Sequence, residues 1–143
     1  MTISSEQGVL IADSSGLVSL FYPDDHNHHV AVEAAKRLRK ESKDILIPAA
    51  VYVEFLNILG RKGGHRMALA AEAELTPPFL MLNEPLDNTS ALKKFAELPE
   101  NVSFTDCLVM AVADEYHTPD IFGFDKQFED AGYHRLTPST DWK

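Results

Sequence analysis

The fold is decided by residues 103–128, which read SFTDCLVMAVADEYHTPDIFGFDKQF. Ser103 followed three residues later by Asp106 is typical of a helix start, because each side chain can bond to the backbone N–H group of the other residue. The residues after Asp106 are nearly all apolar or small, so this helix is expected to be buried. A proline ends the helix. Residues 121–124 then predict a short buried strand that leads into Asp125.

The rest of the chain alternates short apolar runs with helical patterns. Apolar runs typical of strands are found at residues 8–12, 44–47, 79–82, 121–124 and 132–136. Helical patterns lie between them, at residues 17–22, 29–43, 49–62, 65–75 and 85–98. Strands alternating with helices at this spacing predict an α/β fold with a parallel sheet of four to five short strands, flanked by helices on both faces.

Length and composition predict a single domain over residues 1–143, with a core at about residues 8–136. No apolar run approaches the roughly 18 residues that a membrane span needs, and the amino terminus lacks the parts of a signal peptide. We therefore expect a cytoplasmic protein without membrane association. The single cysteine, Cys107, lies in the apolar helix and is interpreted as a small core residue.

The formal net charge of −9 argues against broad, nonspecific adhesion to nucleic acid, which normally requires a basic face. It does not exclude a nuclease. A cluster of carboxylates that holds a divalent metal contributes negative charge when empty, and the metal changes the sign of the charge that a substrate meets.

Four acidic residues stand out by their positions. Asp13 follows the first strand, Asp125 follows the strand after the buried helix, and Asp106 lies in the first turn of that helix. Glu54 is the only charged residue among apolar neighbours in VYVEFLNILG, residues 51–60. Two structural alternatives are open: Asp13 suits a helix N-cap, and Glu54 could point outward from a partly exposed helix edge.

The topology predicts that these four side chains converge, because right-handed crossovers bring strand ends and helix starts to the same edge of a parallel sheet. Carboxylates that lie close together repel one another unless a cation compensates. Oxygen ligands suit Mg²⁺ or Mn²⁺, and such ions activate water and neutralise charge on phosphate. The cluster therefore predicts metal-dependent hydrolysis of phosphodiester bonds.

Together these residues resemble the PIN domain, and in particular the small VapC-like toxins of bacterial and archaeal toxin-antitoxin pairs. The motifs that carry the resemblance are Asp13-Ser-Ser15, the lone Glu54, Ser103-Phe-Thr-Asp106 and Phe124-Asp125-Lys-Gln-Phe128. The resemblance implies an Mg²⁺- or Mn²⁺-dependent endoribonuclease whose metal ligands and catalytic residues are Asp13, Glu54, Asp106 and Asp125. It also implies an RNA substrate, a homodimer and a cognate antitoxin that inhibits the enzyme.

Three residues are predicted to support the acidic cluster. The resemblance implies that the Ser15 hydroxyl orients the first aspartate. Asn57, on the helix face that carries Glu54, and Ser103, at the start of the buried helix, are the other two. The sequence departs from many relatives at Gly123, where they have Ser or Thr two residues before the last aspartate.

A local basic patch is predicted to guide RNA toward the cluster. Its members surround a Gly-Gly break and are Arg61, Lys62, His65 and Arg66. Each phosphate contact made by such a patch would contribute to the salt dependence of binding. The alternative is a solvated helix end whose cations interact favourably with the helix dipole.

Two other functions fit parts of the pattern. A phospho-receiver is also a small acidic α/β domain that binds Mg²⁺, but it needs an acidic pair after the first strand, where this chain has two serines after Asp13. A PIN-like domain that binds without catalysis is the second alternative, and the complete set of four acidic residues argues against it.

Overall fold

The computed structural model describes residues 8–83 and 88–139. Within them the strands are β1 (Val9–Ala12), β2 (Asp44–Pro48), β3 (Phe79–Leu82) and β4 (Ile121–Phe122). The helices are α1 (Ser14–Phe21), α2 (His28–Lys40), α3 (Ala49–Gly63), α4 (His65–Ala73), α5 (Asn88–Glu97), α6 (Phe104–Glu115) and α7 (Lys126–Asp130).

The four strands form one parallel sheet in the order β3-β2-β1-β4. Ile11 on β1 pairs with Leu46 on β2 and with Ile121 on β4. Every residue of β1 is buried, which agrees with the unbroken apolar run expected of a strand covered on both faces. The predicted α/β fold with a parallel sheet is confirmed, and the sheet has four strands.

Helices cover both faces of the sheet. The connections from β1 to β2 and from β2 to β3 step in one direction across the sheet, and they contain α1 to α4. The connection from β3 to β4 returns past β1 to the opposite edge, and it contains α5 and α6. Because crossovers between parallel strands are right-handed, these two groups of helices lie on opposite faces.

The reversal of strand order creates a crevice at the carboxyl ends of β1 and β4. The chain moves from β1 toward β3 and then places β4 on the other side of β1. Ligands bind at such switch points in open α/β sheets. Asp13 comes directly after β1, and Asp125 comes shortly after β4.

The predicted start of α6 is present as a full capping box. The Ser103 hydroxyl accepts a hydrogen bond from the Asp106 N–H group at 3.1 Å, and the Asp106 carboxylate accepts one from the Ser103 N–H group at 3.0 Å. The apolar residues that follow are buried, as expected, and Cys107 is among them. The cap thus fixes Asp106 at the same edge of the sheet as the end of β1.

Helices α3 and α4 form an antiparallel hairpin on the face that α1 also covers. Val51, Phe55 and Leu59 bury one side of α3, and Gly64 ends the helix with a φ of 92°, a conformation that favours glycine. The Tyr52 hydroxyl bonds to the Glu72 carboxylate at 3.2 Å. This contact joins the start of α3 to the end of α4 and leaves the Gly-Gly break at the far tip of the hairpin.

Three predicted elements differ from those in the structure. The predicted strand at residues 121–124 ends at Phe122, and α7 follows it unpredicted. Residues 132–136 form no strand, only one parallel bridge between Asp120 and His134. The physical reason is a change of register. In a parallel ladder continued from that bridge, the Leu136 N–H group would bond to the Ile121 carbonyl. The Leu136 N–H group bonds instead to the Gly123 carbonyl, at 2.7 Å.

The predicted helix at residues 85–98 is described from Asn88 to Glu97, and its first predicted turn lies outside the described residues. In the described part of the chain, no helix combines the length and the apolar character required to cross a bilayer.

Candidate active site

Asp13 lies at the junction of β1 and α1 and is only 2% exposed. Its carboxylate accepts hydrogen bonds from the Ser15 hydroxyl at 2.7 Å and from the Ser15 N–H group at 3.2 Å, so it also caps α1. The same Ser15 hydroxyl accepts a bond from the Phe124 N–H group at 3.0 Å. Ser15 therefore links the first aspartate to the segment that leads to Asp125.

Burial raises the pKa of Asp13 from its ordinary value of 3.8 to about 7. Loss of hydration is the main cause, and the hydroxyl bond from Ser15 partly offsets it. The charges of Asp125 and Asp106 raise the pKa further. Because all three groups act on one another, they share one electrostatic environment at the switch point.

Glu54 lies in the second turn of α3 and is partly buried. Its Oε2 atom is buried and has no hydrogen-bond partner among the described residues. Burial and then the charge of Asp106 raise the Glu54 pKa, whereas a hydrogen bond with the Ser14 side chain lowers it. The side chain does not simply point outward from a helix edge, because one of its oxygens is shielded from water without a protein partner.

Asp106 is the member that acts on the other three. Its charge raises the pKa values of Asp13, Glu54 and Asp125. One of its oxygens is used by the Ser103 N–H group, and the carboxylate is buried at the start of α6. The capping role and a role in the cluster are therefore compatible.

Asp125 lies at the exposed rim of the cluster, at the start of α7. Partial loss of hydration and the charge of Asp106 raise its pKa, and the positive charge of Arg135 lowers it. Arg135 also donates a hydrogen bond from Nη1 to the Phe124 carbonyl at 3.0 Å. Arg135 therefore stabilises the negative charge of Asp125 and also holds the backbone of the preceding residue.

The surroundings of Gly123 explain why this chain lacks the Ser or Thr side chain that many relatives have at this position. A Cβ atom at this position would lie 2.7 Å from the Asp13 Cβ and 3.1 Å from the Ser15 Oγ. A side chain there would require Asp13 or the backbone to shift, since Cβ contacts shorter than 3.0 Å are almost never found in proteins. Ser15 is the residue whose hydroxyl fills this space.

The structure places the other predicted residues as follows. Ser15 and Ser103 both bond to aspartates of the cluster. Asn57 is exposed, and the described residues show no hydrogen bond between it and any carboxylate of the cluster. Sequence reasoning missed Ser14 and Arg135. The pairing of Ser14 with α3 had no signal in the sequence, whereas Arg135 is a cation ten residues after Asp125 and could have been considered.

The donor set fits a hard divalent cation. The carboxylates of Asp13, Glu54, Asp106 and Asp125 supply only oxygen atoms, and oxygen ligands suit Mg²⁺ and Mn²⁺. The unpartnered Glu54 Oε2 atom is the observation that favours a ligand, because a buried acceptor without a partner costs free energy. Among residues 8–83 and 88–139, no three His, Cys, Asp or Glu side chains are gathered into a compact ligand set. The four carboxylates therefore repel one another but do not surround a single point.

Comparisons with known proteins agree with this fold. Residues 10–132 match the PIN domain family. A solved structure, Mycobacterium tuberculosis VapC20, is described as a sarcin-ricin loop cleaving toxin; it is 25% identical in sequence and superposes with a TM-score of 0.72. The alignment covers 87% of this chain and 96% of VapC20. No curated protein sequence matches at a significant level. Because the family match spans most of the chain, including all four acidic positions, this protein belongs to the PIN-domain family.

Proposed function

We propose that this protein is a metal-dependent endoribonuclease, the toxin of a VapC-like toxin-antitoxin pair. The observation that carries the proposal is the unpartnered, buried oxygen of Glu54, a residue whose pKa the charges of Asp106 and Asp125 raise, in a chain that matches the PIN domain. The likeness to VapC20, a toxin that cleaves the sarcin-ricin loop, supports the substrate class.

In this proposal the four carboxylates bind Mg²⁺ or Mn²⁺. When bound, the ion supplies activation of a water and neutralisation of charge on the phosphate. Ser15 holds the Asp13 carboxylate, and the Ser103 N–H group holds that of Asp106, so two donors keep fixed positions. Because the pKa of Asp13 is about 7 without metal, binding at neutral pH releases a proton from a fraction of the molecules.

The experiment is cleavage of RNA by the purified protein in Mg²⁺ or Mn²⁺ and in EDTA. The substrates are a sarcin-ricin loop oligonucleotide, intact ribosomes and an unrelated structured RNA. We expect products with a 5′ phosphate and a 3′ hydroxyl, as water rather than the ribose 2′ hydroxyl is the nucleophile. Cleavage that persists in EDTA, or products that end in a cyclic phosphate, would contradict the mechanism.

The partners of the protein belong to the same proposal. An antitoxin would bind beside α3 and α4, where Val53 is 58% exposed and Leu69 is 69% exposed. An arginine of the antitoxin would pair with the acidic cluster, because guanidinium binds carboxylates bidentately. Inhibition should then weaken as Mg²⁺ is raised and should fail when that arginine is replaced by alanine.

We further propose that the protein acts in the cytoplasm as a homodimer. Leu92 and Phe95 on α5 are 55% and 50% exposed, and apolar side chains of this size are available for a self-association surface. Light scattering over a range of concentrations tests this proposal. A dimer that is lost in a Leu92→Asp, Phe95→Asp variant supports this surface, and a wild-type monomer at all concentrations contradicts it.

A further inference from the structure

The tip of the α3–α4 hairpin carries positive charge without any compensating acid. Arg61, Lys62, His65 and Arg66 are all exposed, and none pairs with an acidic side chain in the described part of the protein. The sequence has no Asp or Glu between Glu54 and Glu72. In a chain with a net charge of −9, this local surface is positive.

This tip lies at a defined distance from the acidic cluster. Arg61 follows Glu54 by seven residues, which is two helical turns, so both project from the same face of α3 with roughly 10 Å of rise between them. Asn57 lies between them on that face and is exposed. A stacked strand of nucleic acid advances about 3.4 Å per phosphate, so the separation corresponds to roughly three nucleotides.

An aromatic ring is present at the same tip. Tyr22 ends α1, the helix that begins beside Asp13, and the Phe21 and Phe55 rings pack at 5.8 Å to hold α1 against α3. The Lys62 ammonium lies over the Tyr22 ring, 5.7 Å from its centroid. The ring is half-buried, and a cation from the exposed end of α3 reaches its face.

We infer that Tyr22 and Lys62, with Arg61 and Arg66, form a binding site for single-stranded RNA in which a base stacks on Tyr22. This inference rests on the proposed ribonuclease function and adds the position of contact, about three nucleotides from the cleaved bond. Stacking of a base on an aromatic side chain is stronger than an exposed cation–π contact. A base therefore displaces Lys62 from the ring and leaves its ammonium free to pair with a phosphate.

The charges around Tyr22 permit this arrangement. Asp25, in the loop after Tyr22, accepts hydrogen bonds from the Ser19 hydroxyl at 2.9 Å and from the Asn27 N–H group at 2.8 Å, so its carboxylate is held within the loop. Asp24 is exposed and opposes RNA. Its charge and the net charge of the protein make the binding measurable chiefly at low ionic strength.

A second tyrosine provides a matched control. Tyr133 also lies under a lysine, with the Lys94 ammonium 6.0 Å from its centroid. There, however, Lys94 pairs with Asp114 at 2.8 Å, and the Tyr133 hydroxyl donates to the same carboxylate at 2.7 Å. The two pairs share their residue types, but only the pair at Tyr22 has an unneutralised cation.

The test measures RNA binding in EDTA, so that no cleavage occurs. Fluorescence anisotropy follows a fluorescein-labelled single-stranded oligoribonucleotide of mixed sequence, since stacking tolerates any base. We expect Tyr22→Leu to lose roughly tenfold in affinity and Tyr22→Phe to bind as the wild type does. Lys62→Met should lower the salt slope by about one. Tyr133→Leu should change nothing.

A stacking signal completes the test. The same oligonucleotide with 2-aminopurine should lose fluorescence on binding the wild type and keep it with Tyr22→Leu. Equal affinities of Tyr22→Leu and wild type, or no detectable binding by the wild type at low salt, overturn the inference. If Tyr22→Leu does not fold, Lys62→Met and quenching by the wild type decide instead. If no assay detects cleavage but binding still depends on Tyr22, only the nuclease proposal is contradicted.

Discussion

Acidic side chains lie at both ends of the sheet, but their surroundings differ. At the amino end, Asp114 is held by Lys94 and Tyr133, and Asp120 bonds to the His134 ring at 2.9 Å. At the carboxyl end, the pKa values of Asp13, Glu54 and Asp125 are raised, in part by the charge of Asp106, and one buried oxygen of Glu54 has no partner among the described residues. The first group of acids is paired within the protein, whereas in the second the carboxylates repel one another, which is why we propose that it binds a cation.

Removing one carboxylate charge from each end of the sheet should produce the largest difference in activity. Asp106→Asn keeps an oxygen that can accept the bond from the Ser103 N–H group, so α6 should still start correctly. It removes the charge that acts on the rest of the cluster. We expect cleavage to fall by more than the roughly 100-fold that loss of a supporting group causes.

The matched control is Asp114→Asn, at the other end of α6. It should cleave RNA as the wild type does. Equal loss in both variants would show that the charge of the helix as a whole, rather than the cluster, supports activity. RNA cleavage rates and melting temperatures of both variants provide the measurement.

The next largest effect is expected in the pH dependence of stability, and it arises from Asp13 at the carboxyl end of the sheet. The pKa of Asp13 is about 7 in the folded protein and 3.8 ordinarily, so the folded state binds more protons between these values. Stability of the metal-free protein should therefore fall as pH rises from about 4 to about 7, by up to about 4 kcal/mol from this group. Denaturant titrations in EDTA at several pH values measure this loss.

Two further measurements complete that prediction. Asp13→Asn should flatten the dependence, because its side chain does not ionise, and Mg²⁺ should restore stability above neutral pH. A metal-free protein whose stability rises steadily across this pH range would show that Asp13 is already ionised and partnered.

Removal of a single hydroxyl should have a smaller effect. Ser15→Ala loses the bond to Asp13 and the acceptor for the Phe124 N–H group. We expect cleavage to fall by roughly 10- to 100-fold, and the Asp13 pKa to rise further because the hydroxyl had lowered it. Ser19→Ala is the control on the same helix, since Ser19 bonds to Asp25 away from the cluster. Unchanged cleavage by Ser15→Ala would remove the supporting role.

The smallest effect on stability is expected from a substitution at the amino end of the sheet. Lys94→Met breaks a pair in which the Asp114 side chain is 49% exposed, and pairs at such exposure contribute about 1 kcal/mol or less. The melting temperature should fall by no more than a few degrees, with cleavage unchanged. A loss as large as that caused by replacing a buried residue would mean that this end is also under electrostatic strain.

Much of this molecule follows from local sequence rules. The capping box at Ser103 and Asp106, the buried strands and the helix that carries Glu54 were predicted from residue type and spacing. These features depend on contacts between residues close in sequence, or on burial of one apolar run, and such signals are present in any short segment. The order of strands and helices then predicted that the four carboxylates share one edge of the sheet.

Other features were decided only by the tertiary structure, because they join residues distant in sequence. The bond from the Phe124 N–H group to Ser15, the close approach of Gly123 to Asp13 and the charge of Arg135 beside Asp125 depend on how β4 packs against β1. The failure of residues 132–136 to form a strand has the same origin, since register is set by the neighbouring strand. The sequence by itself predicted that four acidic residues share one edge of the sheet, and packing decided that one oxygen of Glu54 is left without a partner in the described residues.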